Sequence, residues 1–331
     1  THCISSAASD VYKRQALAAG LGMSAVVRVP TDAYGRMRVD QLDAMLSEMR
    51  ADSAHPHGMP LLVNATSGTT VMGAFDDLGA IADVCARHGC WMHVDASWGG
   101  PVAFSDTERL RLAGIERSDS VTINPHKLLT VTHQCSFLLV RRRRSLATLV
   151  IEAGYLFHGP SHDLAIKTLG CGRRGDALKF YLVWLRYGTA GLGAHIASGM
   201  EMAKRVLQRV RAEPSLEVGP LAEPLFLQIC FRPAMGSAAA ASAAARRLHD
   251  TFAARRHYAV DFAPLPSGDY LRFVRRPPAD TDWSCTRGQR KRCFTQLWRR
   301  PPLGQPRGAT NRRWAPTLQN STQHSMIPDI N

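Results

Sequence analysis

The chain has 331 residues, of which 45% are hydrophobic, and a formal net charge of +14. This length is enough for one large or two ordinary domains with a sizeable core, and no apolar run reaches the ~18 residues of a membrane span. The first residues do not form a basic segment followed by an apolar one, so we expect no secretory signal. Eight cysteines without CxxC spacing argue against a disulfide framework or a zinc site. We therefore expect a reduced, cytoplasmic protein without a metal or a membrane partner.

A strand, a helix and a second strand are predicted over residues 25–75. Val26, Val27 and Val29 indicate a short strand. Asp40 can cap a helix. The apolar residues of that helix recur at helical spacing, at Leu42, Met45, Leu46 and Met49.

The clearest helix is predicted over residues 76–88. Asp76 or Asp77 can cap it, one face is apolar, and Gly89 can end it. Apolar runs on both sides, the second from Trp91 to Val94, complete a βαβ unit. We therefore expect an α/β fold with a largely parallel sheet.

Polar residues follow three apolar runs of this sheet. The segment 64–70 follows the first, Asp95 follows the second, and Lys127 lies just after the third, Val121 to Ile123. Ligands of open α/β sheets bind outside the carboxyl ends of the strands. Asp95 and Lys127 are therefore predicted to meet at one edge, and the glycine and hydroxyls of 64–70 suit close approach to a polar ligand.

Lys127 has an unusual setting for a lysine. Pro125 ends the preceding strand because it has no N–H to donate, so we place Lys127 on the loop beyond it. Apolar Leu128 and Leu129 can desolvate its ammonium and lower its pKa, which suits an amine that forms a Schiff base. A His-Lys pair alone would equally fit an ordinary loop.

Five stretches together resemble the group II amino acid decarboxylases, which depend on pyridoxal 5'-phosphate. They are NATSGTTVMGAFDDL, WMHVDASWGG, SVTINPHKLL, HQCSFLLV and CGRRGDALKF. The motif NPHKLL and the motif YLFHG at 155–159 are most similar to the glutamate and cysteine-sulfinate decarboxylase branch. The resemblance covers residues 16–274. It implies the fold type I architecture of pyridoxal-phosphate-dependent transferases, with flanking helices and a small carboxyl-terminal α+β domain, and a homodimer.

The resemblance also implies roles for individual residues. Lys127 would hold the cofactor as a Schiff base, and Asp95 would pair with the pyridine nitrogen and keep it protonated. His162, on an active-site loop over 152–172, would replace a tyrosine that returns a proton to the substrate. Arg272 would hold the substrate α-carboxylate, although a surface strand arginine fits the sequence equally well. The other cofactor-binding residues would be Thr66, Thr69, Thr70, Ser97, Asn124 and His126.

Four segments divide the chain. Residues 1–15 fit the family pattern poorly and are predicted to be non-native. Residues 16–190 would form part of the large cofactor domain, and 191–274 the small domain. Residues 275–331 contain eleven Lys or Arg against three Asp and lack helical or strand periodicity, so we expect a disordered basic tail. Because the family has a long segment before residue 16, we expect a fragment that begins inside the cofactor domain.

The resulting hypothesis is decarboxylation of an acidic L-amino acid: glutamate, cysteine sulfinate or aspartate. One alternative is an aromatic L-amino acid decarboxylase or another fold type I enzyme, and a second is a catalytically incomplete fragment. A third is nucleic-acid binding through the basic tail. The four arginines at 141–144 favour a solvated turn over a nucleic-acid site, because no aromatic residue interleaves them.

Overall fold

The computed structural model describes residues 2–5, 9–51, 59–142, 145–146, 174–255, 261–265 and 267–274. His162, the whole predicted active-site loop over 152–172 and the whole basic tail lie outside these ranges. No helix in the described ranges is long and apolar enough to span a bilayer.

The larger sheet has six strands in the spatial order β2-β1-β3-β4-β5-β6. The first five run parallel and β6 is antiparallel to β5, which confirms the predicted, largely parallel sheet. The first strand, within the segment predicted to be non-native, lies between β2 and β3. The strands are β1 His2–Ser5, β2 Val26–Arg28, β3 Pro60–Thr66, β4 Trp91–Asp95, β5 Ser120–Ile123 and β6 Phe137–Val140.

Six α-helices accompany the strands in the described ranges. The third helix starts and stops at residues that its sequence predicts. Asp77 caps its start by accepting a hydrogen bond from the Ala80 N–H, and Gly89 ends it in the left-handed conformation (φ 57°). The helices are α1 Ser9–Ala18, α2 Val39–Ala51, α3 Leu78–His88, α4 Pro125–Leu128, α5 Asp176–Arg211 and α6 Ala238–Arg255.

Three predicted helix boundaries differ in the structure. The α2 helix begins at Val39, so Asp40 lies in its first turn and pairs with Arg38 instead of capping the helix. The segment of Lys127 is a single helical turn and not a loop, because Pro125 suits the first position of a helix. The sequence pattern predicts two helices, one over 176–187 that stops at Gly188 and one over 195–211. In the structure Gly188 does break α5, but the second part follows the break directly.

The main core lies between the large sheet and helices α2 and α3. Leu42, Leu46 and Met49 of α2 and Ile81 of α3 are buried against Val63, Met92 and Val94 of the strands. These are the apolar positions that helical and strand periodicity selected. Cys85 and Cys90 are buried in the same core.

A second, antiparallel sheet of four strands has the order β7-β8-β10-β9. On one face, Ile229, Phe231 and Phe273 pack against Val206 and Leu207 of α5. On the other face, Arg272 of β10 contacts the loop that follows β3, as strand alternation requires. The strands are β7 Leu216–Val218, β8 Gln228–Pro233, β9 Asp261–Leu265 and β10 Gly268–Val274.

Candidate active site

Asp95 and Lys127 meet at the carboxyl edge of the large sheet. Asp95 is the last residue of β4, and Lys127 follows the neighbouring strand β5 by one short helical turn. The two side chains are near enough that each charge shifts the pKa of the other. The structure thus brings together the two residues on which the site prediction depends.

The surroundings of Lys127 favour a neutral amine. Burial lowers the pKa of Lys127 below its ordinary value, against the opposing influence of Asp95, which raises it. Leu128 and Leu129 are fully buried in a cluster that includes Leu192 and Ile196 of α5. Burial therefore desolvates the Lys127 amine, and a deprotonated lysine amine is a nucleophile for carbonyl compounds.

Asp95 remains ionised although it is buried. Burial raises the pKa of Asp95, but hydrogen bonds from Tyr12 and Ser97 and the charge of Lys127 outweigh it, and the net shift is downward. The Tyr12 hydroxyl donates to Oδ2 at 2.6 Å, and the Ser97 N–H donates to Oδ1 at 3.0 Å. A buried carboxylate of this kind can pair with a protonated ring nitrogen.

Tyr12 was missed by the sequence analysis because its segment showed no family pattern. Burial and the charge of Asp95 both raise the pKa of Tyr12, so its hydroxyl keeps its proton and acts as a donor. The hydroxyl would compete with a ring nitrogen that binds the same oxygen of Asp95.

The loop after β3 brings unpaired hydroxyls to the same edge. Thr66 ends β3 and is the register partner of Asp95. Among the described residues, Thr66 Oγ1 and Ser67 Oγ are buried without a hydrogen-bond partner. Gly68 has φ 84°, and a Cβ there would lie 2.8 Å from the Gly99 nitrogen. The chain thus passes close to Gly99 and leaves two hydroxyls for a polar ligand.

Asp76 holds the start of this loop in place through hydrogen bonds to backbone N–H groups. Its buried carboxylate accepts hydrogen bonds from the Thr66 N–H at 2.8 Å and the Met37 N–H at 2.7 Å. The sequence suggested Asp76 as one of two possible helix caps, but Asp77 takes that position. Asp76 therefore holds the end of β3 in place.

The predicted residues of the Lys127 segment have separate environments. His126 lies with Nδ1 2.5 Å from the Cys135 carbonyl oxygen and 3.1 Å from the Cys135 nitrogen, and its ring meets His133 edge-on. Asn124 Oδ1 is buried without a partner in the described part of the chain. His126 is thus fixed through one ring nitrogen, while Asn124 presents an unused acceptor.

His93 is a further residue that the sequence analysis did not select. It precedes Asp95 by two positions on β4 and shares its face. Its Nδ1 lies 2.8 Å from Ser120 Oγ, and its Nε2 lies 3.3 Å from Thr122 Oγ1. Burial lowers the pKa of His93, against the charge of Asp95, which raises it. Strand alternation from Asp95 is the signal that would have found it.

The remaining predicted residues lie on or near the loop after β3. Thr69 uses its hydroxyl to accept the Ala74 N–H at 3.0 Å. Thr70 is exposed, and its carbonyl accepts a 2.6 Å hydrogen bond from Arg272 Nη1. Arg272 also forms an ion pair with Asp261. The structure thus brings Arg272 to this loop, while His162 lies outside the described residues.

The family model for the pyridoxal-dependent decarboxylase conserved domain matches residues 2–234. The chain belongs to the pyridoxal-dependent decarboxylase family. The match begins at residue 2, and so includes the start that we predicted to be non-native. The family's cofactor also accounts for the three features of the site: a buried amine, a buried carboxylate and unpaired hydroxyls.

Curated relatives lie within the acidic branch of this family. The chain is 41% identical over 276 residues to an L-aspartate decarboxylase of Metarhizium robertsii, a match over 79% of this chain and 53% of the relative. It is 42% identical over 219 residues to human cysteine sulfinic acid decarboxylase, a match over 64% of this chain and 43% of the relative. The chain therefore spans about half the length of these decarboxylases.

A solved structure supports the same fold. The crystal structure of mouse CSAD superposes with a TM-score of 0.76 at 34% sequence identity, over 84% of this chain and 60% of that chain. The α/β architecture of the pyridoxal-phosphate-dependent fold, predicted from the sequence, is confirmed.

Proposed function

We propose that the protein uses pyridoxal phosphate to decarboxylate an acidic L-amino acid. The observation that supports this most is the buried pair of Lys127 and Asp95 at the carboxyl edge of the parallel sheet. The curated relatives named for aspartate and cysteine sulfinate decarboxylation match most of this chain. We propose an acidic substrate because of these relatives.

The chain's residues divide the chemistry among them. When bound, pyridoxal phosphate supplies an electron sink for the charge left at Cα as carbon dioxide departs. Lys127 provides the amine for attachment, and Asp95 keeps a proton on the ring nitrogen. Thr66 and Ser67 offer hydroxyls to the polar groups of the ligand. Arg272 binds the α-carboxylate, and two parallel N–H donors would fix its orientation.

A proton must return to Cα after carbon dioxide leaves. We propose His162 for this role, as the position of the predicted active-site loop implies. An imidazole can donate a proton near neutral pH. Its replacement by glutamine would then lower turnover without changing cofactor binding.

We also propose that the protein forms a homodimer. An apolar strip lies along the first half of α5, where Leu178, Tyr181, Leu182 and Leu185 are each more than half exposed. Such a contiguous exposed strip is typical of an interaction surface. A second copy of this chain would cover it. Analytical ultracentrifugation of Leu182→Glu against the parent protein tests this, since a monomer in both samples contradicts the dimer.

Cofactor titration tests the proposal directly. The parent protein should develop the visible absorbance of pyridoxal phosphate attached to a lysine, and Lys127→Ala should not. Lys204→Ala, at an exposed position of α5, is the matched control. Carbon dioxide release from aspartate, cysteine sulfinate, glutamate and DOPA then ranks the substrates. An undiminished absorbance band in Lys127→Ala would refute the site, whereas cofactor attachment without release would support the incomplete fragment.

A further inference from the structure

Three side chains form a row across the small sheet. Cys230 on β8 lies directly opposite Arg272 on β10, and Asp261 on β9 lies directly opposite Arg272 on its other side. Directly opposed residues of antiparallel strands point to the same face. The row faces the loop after β3, because Cys230 Sγ donates to the Val71 carbonyl and Arg272 to the Thr70 carbonyl.

The guanidinium of Arg272 is only partly used. Its Nη1 donates to the Thr70 carbonyl at 2.6 Å, and its Nη2 pairs with Asp261 Oδ2. Its Nε is buried and has no hydrogen-bond partner in the described part of the chain. Nε–H and Nη2 form one edge of the guanidinium, and such an edge can bind a carboxylate with two parallel hydrogen bonds. Asp261 therefore occupies half of a two-point carboxylate site.

The two side chains of this ion pair differ in their exposure to solvent. The Arg272 side chain is 15% exposed and held by Thr70, whereas the Asp261 side chain is 59% exposed. Asp261 can therefore turn into water while the guanidinium keeps its place. Because one partner of the ion pair is mostly exposed to water, we expect the pair to contribute little free energy, so an incoming carboxylate can displace Asp261.

We propose that Asp261 is an internal competitor for the substrate carboxylate at Arg272, and that it sets the affinity of the site for anionic ligands. This proposal rests on the assignment of Arg272 to the α-carboxylate in the proposed function. Asp261 acts in two ways: it occupies Nη2, and its negative charge repels a ligand that carries two carboxylates. Both effects weaken binding, and the second depends on ionic strength.

The test measures carboxylate binding in the protein without added cofactor. Glutarate, a plain dicarboxylate, is titrated while the NMR signal of the Arg272 Nε–H is followed; Arg272→Lys identifies that signal by its loss. We expect Asp261→Asn to bind glutarate about threefold to fivefold more tightly at low salt. The difference should shrink at high salt, where charges on exposed side chains are screened.

A control and a second variant separate the outcomes. Asp250→Asn removes an exposed carboxylate from α6 and should leave the affinity unchanged. Asp261→Ala also removes the hydrogen-bond acceptor and should bind glutarate at least as tightly as Asp261→Asn. The proposal would be overturned if both Asp261 variants bound glutarate no more tightly than the parent protein. It would also be overturned if the Arg272 Nε–H signal did not shift on addition of glutarate in any variant. Failure of the proposed function appears separately, in the cofactor titration of Lys127→Ala.

Discussion

The Asp76 carboxylate accepts a 2.8 Å hydrogen bond from the backbone N–H of Thr66. The Asp76 N–H in turn donates to the Thr66 carbonyl at 3.0 Å. This reciprocal pair joins the start of α3 to the end of β3. It determines where the unpaired hydroxyls of Thr66 and Ser67 lie relative to Asp95.

Replacing Asp76 with alanine should destabilise the fold and weaken cofactor binding. The change leaves the N–H groups of Thr66 and Met37 buried without an acceptor, which should cost about 3 kcal/mol in the free energy of unfolding. Urea denaturation measures that loss, and a titration with pyridoxal phosphate measures the affinity. Asp77→Ala removes only the cap of α3, so it should cost about 1 kcal/mol and spare cofactor affinity. Equal cofactor affinities in the two variants would contradict a positioning role for Asp76.

The strand ends and the meeting of Asp95 with Lys127 were predictable because they depend on local pattern. Apolar runs identify strands, and the carboxyl ends of parallel strands share an edge. The role of Asp76 was not predictable, because Met37, a donor to its carboxylate, lies 39 positions away. The sequence alone cannot distinguish an aspartate that caps a helix from one that accepts hydrogen bonds from a distant buried segment.

Contacts between the two sheets could not be predicted from the sequence either. Gln228 donates a hydrogen bond to the Thr69 carbonyl, 159 positions away in the sequence. Arg272 donates one to the Thr70 carbonyl, 202 positions away. The alternating pattern of residues 269–274 predicts a strand with Arg272 on the face opposite Leu271 and Phe273, but it does not identify the partners of Arg272. The ion pair with Asp261 depends on the register of β9 against β10, which the sequence of either strand leaves open. The roles of His162 and the basic tail stay predictions.

Tyr12→Phe should strengthen the binding of pyridoxal phosphate. The Tyr12 hydroxyl donates to Oδ2 of Asp95 at 2.6 Å, so a ring nitrogen that binds the same oxygen would compete with it. Removing one hydrogen bond of about 1 kcal/mol from the cofactor-free state should lower the cofactor Kd about fivefold. Tyr34→Phe, at an exposed tyrosine, is the control and should leave the Kd unchanged. A weaker Kd in Tyr12→Phe would mean that the phenol orients the carboxylate instead of competing for it.

Gln228→Leu should loosen the loop after β3. Gln228 is buried, and its Nε2 donates to the carbonyls of Thr69 and Thr70 at 2.9 and 3.3 Å. Leucine keeps the approximate volume but leaves both carbonyls without this donor, so we expect a loss of about 1–2 kcal/mol in stability. Hydrogen exchange at residues 69–74 should become faster, while exchange in α3 stays the same. Unchanged exchange in that loop would show that the small sheet does not restrain it.

Lys127 should react with amine reagents at lower pH than an exposed lysine. Burial lowers the pKa of Lys127, so more of its amine is deprotonated at neutral pH than in a free lysine side chain. The peptide of Lys204, an exposed residue of α5, serves as the comparison in the labelling. Asp95 raises the pKa of Lys127, so Asp95→Asn should move the labelling midpoint further down in pH. Competitive acetylation of the cofactor-free protein at a series of pH values, read by mass spectrometry of the two lysine peptides, gives both midpoints. A midpoint that rises in Asp95→Asn would mean that solvent, and not the carboxylate, controls the amine.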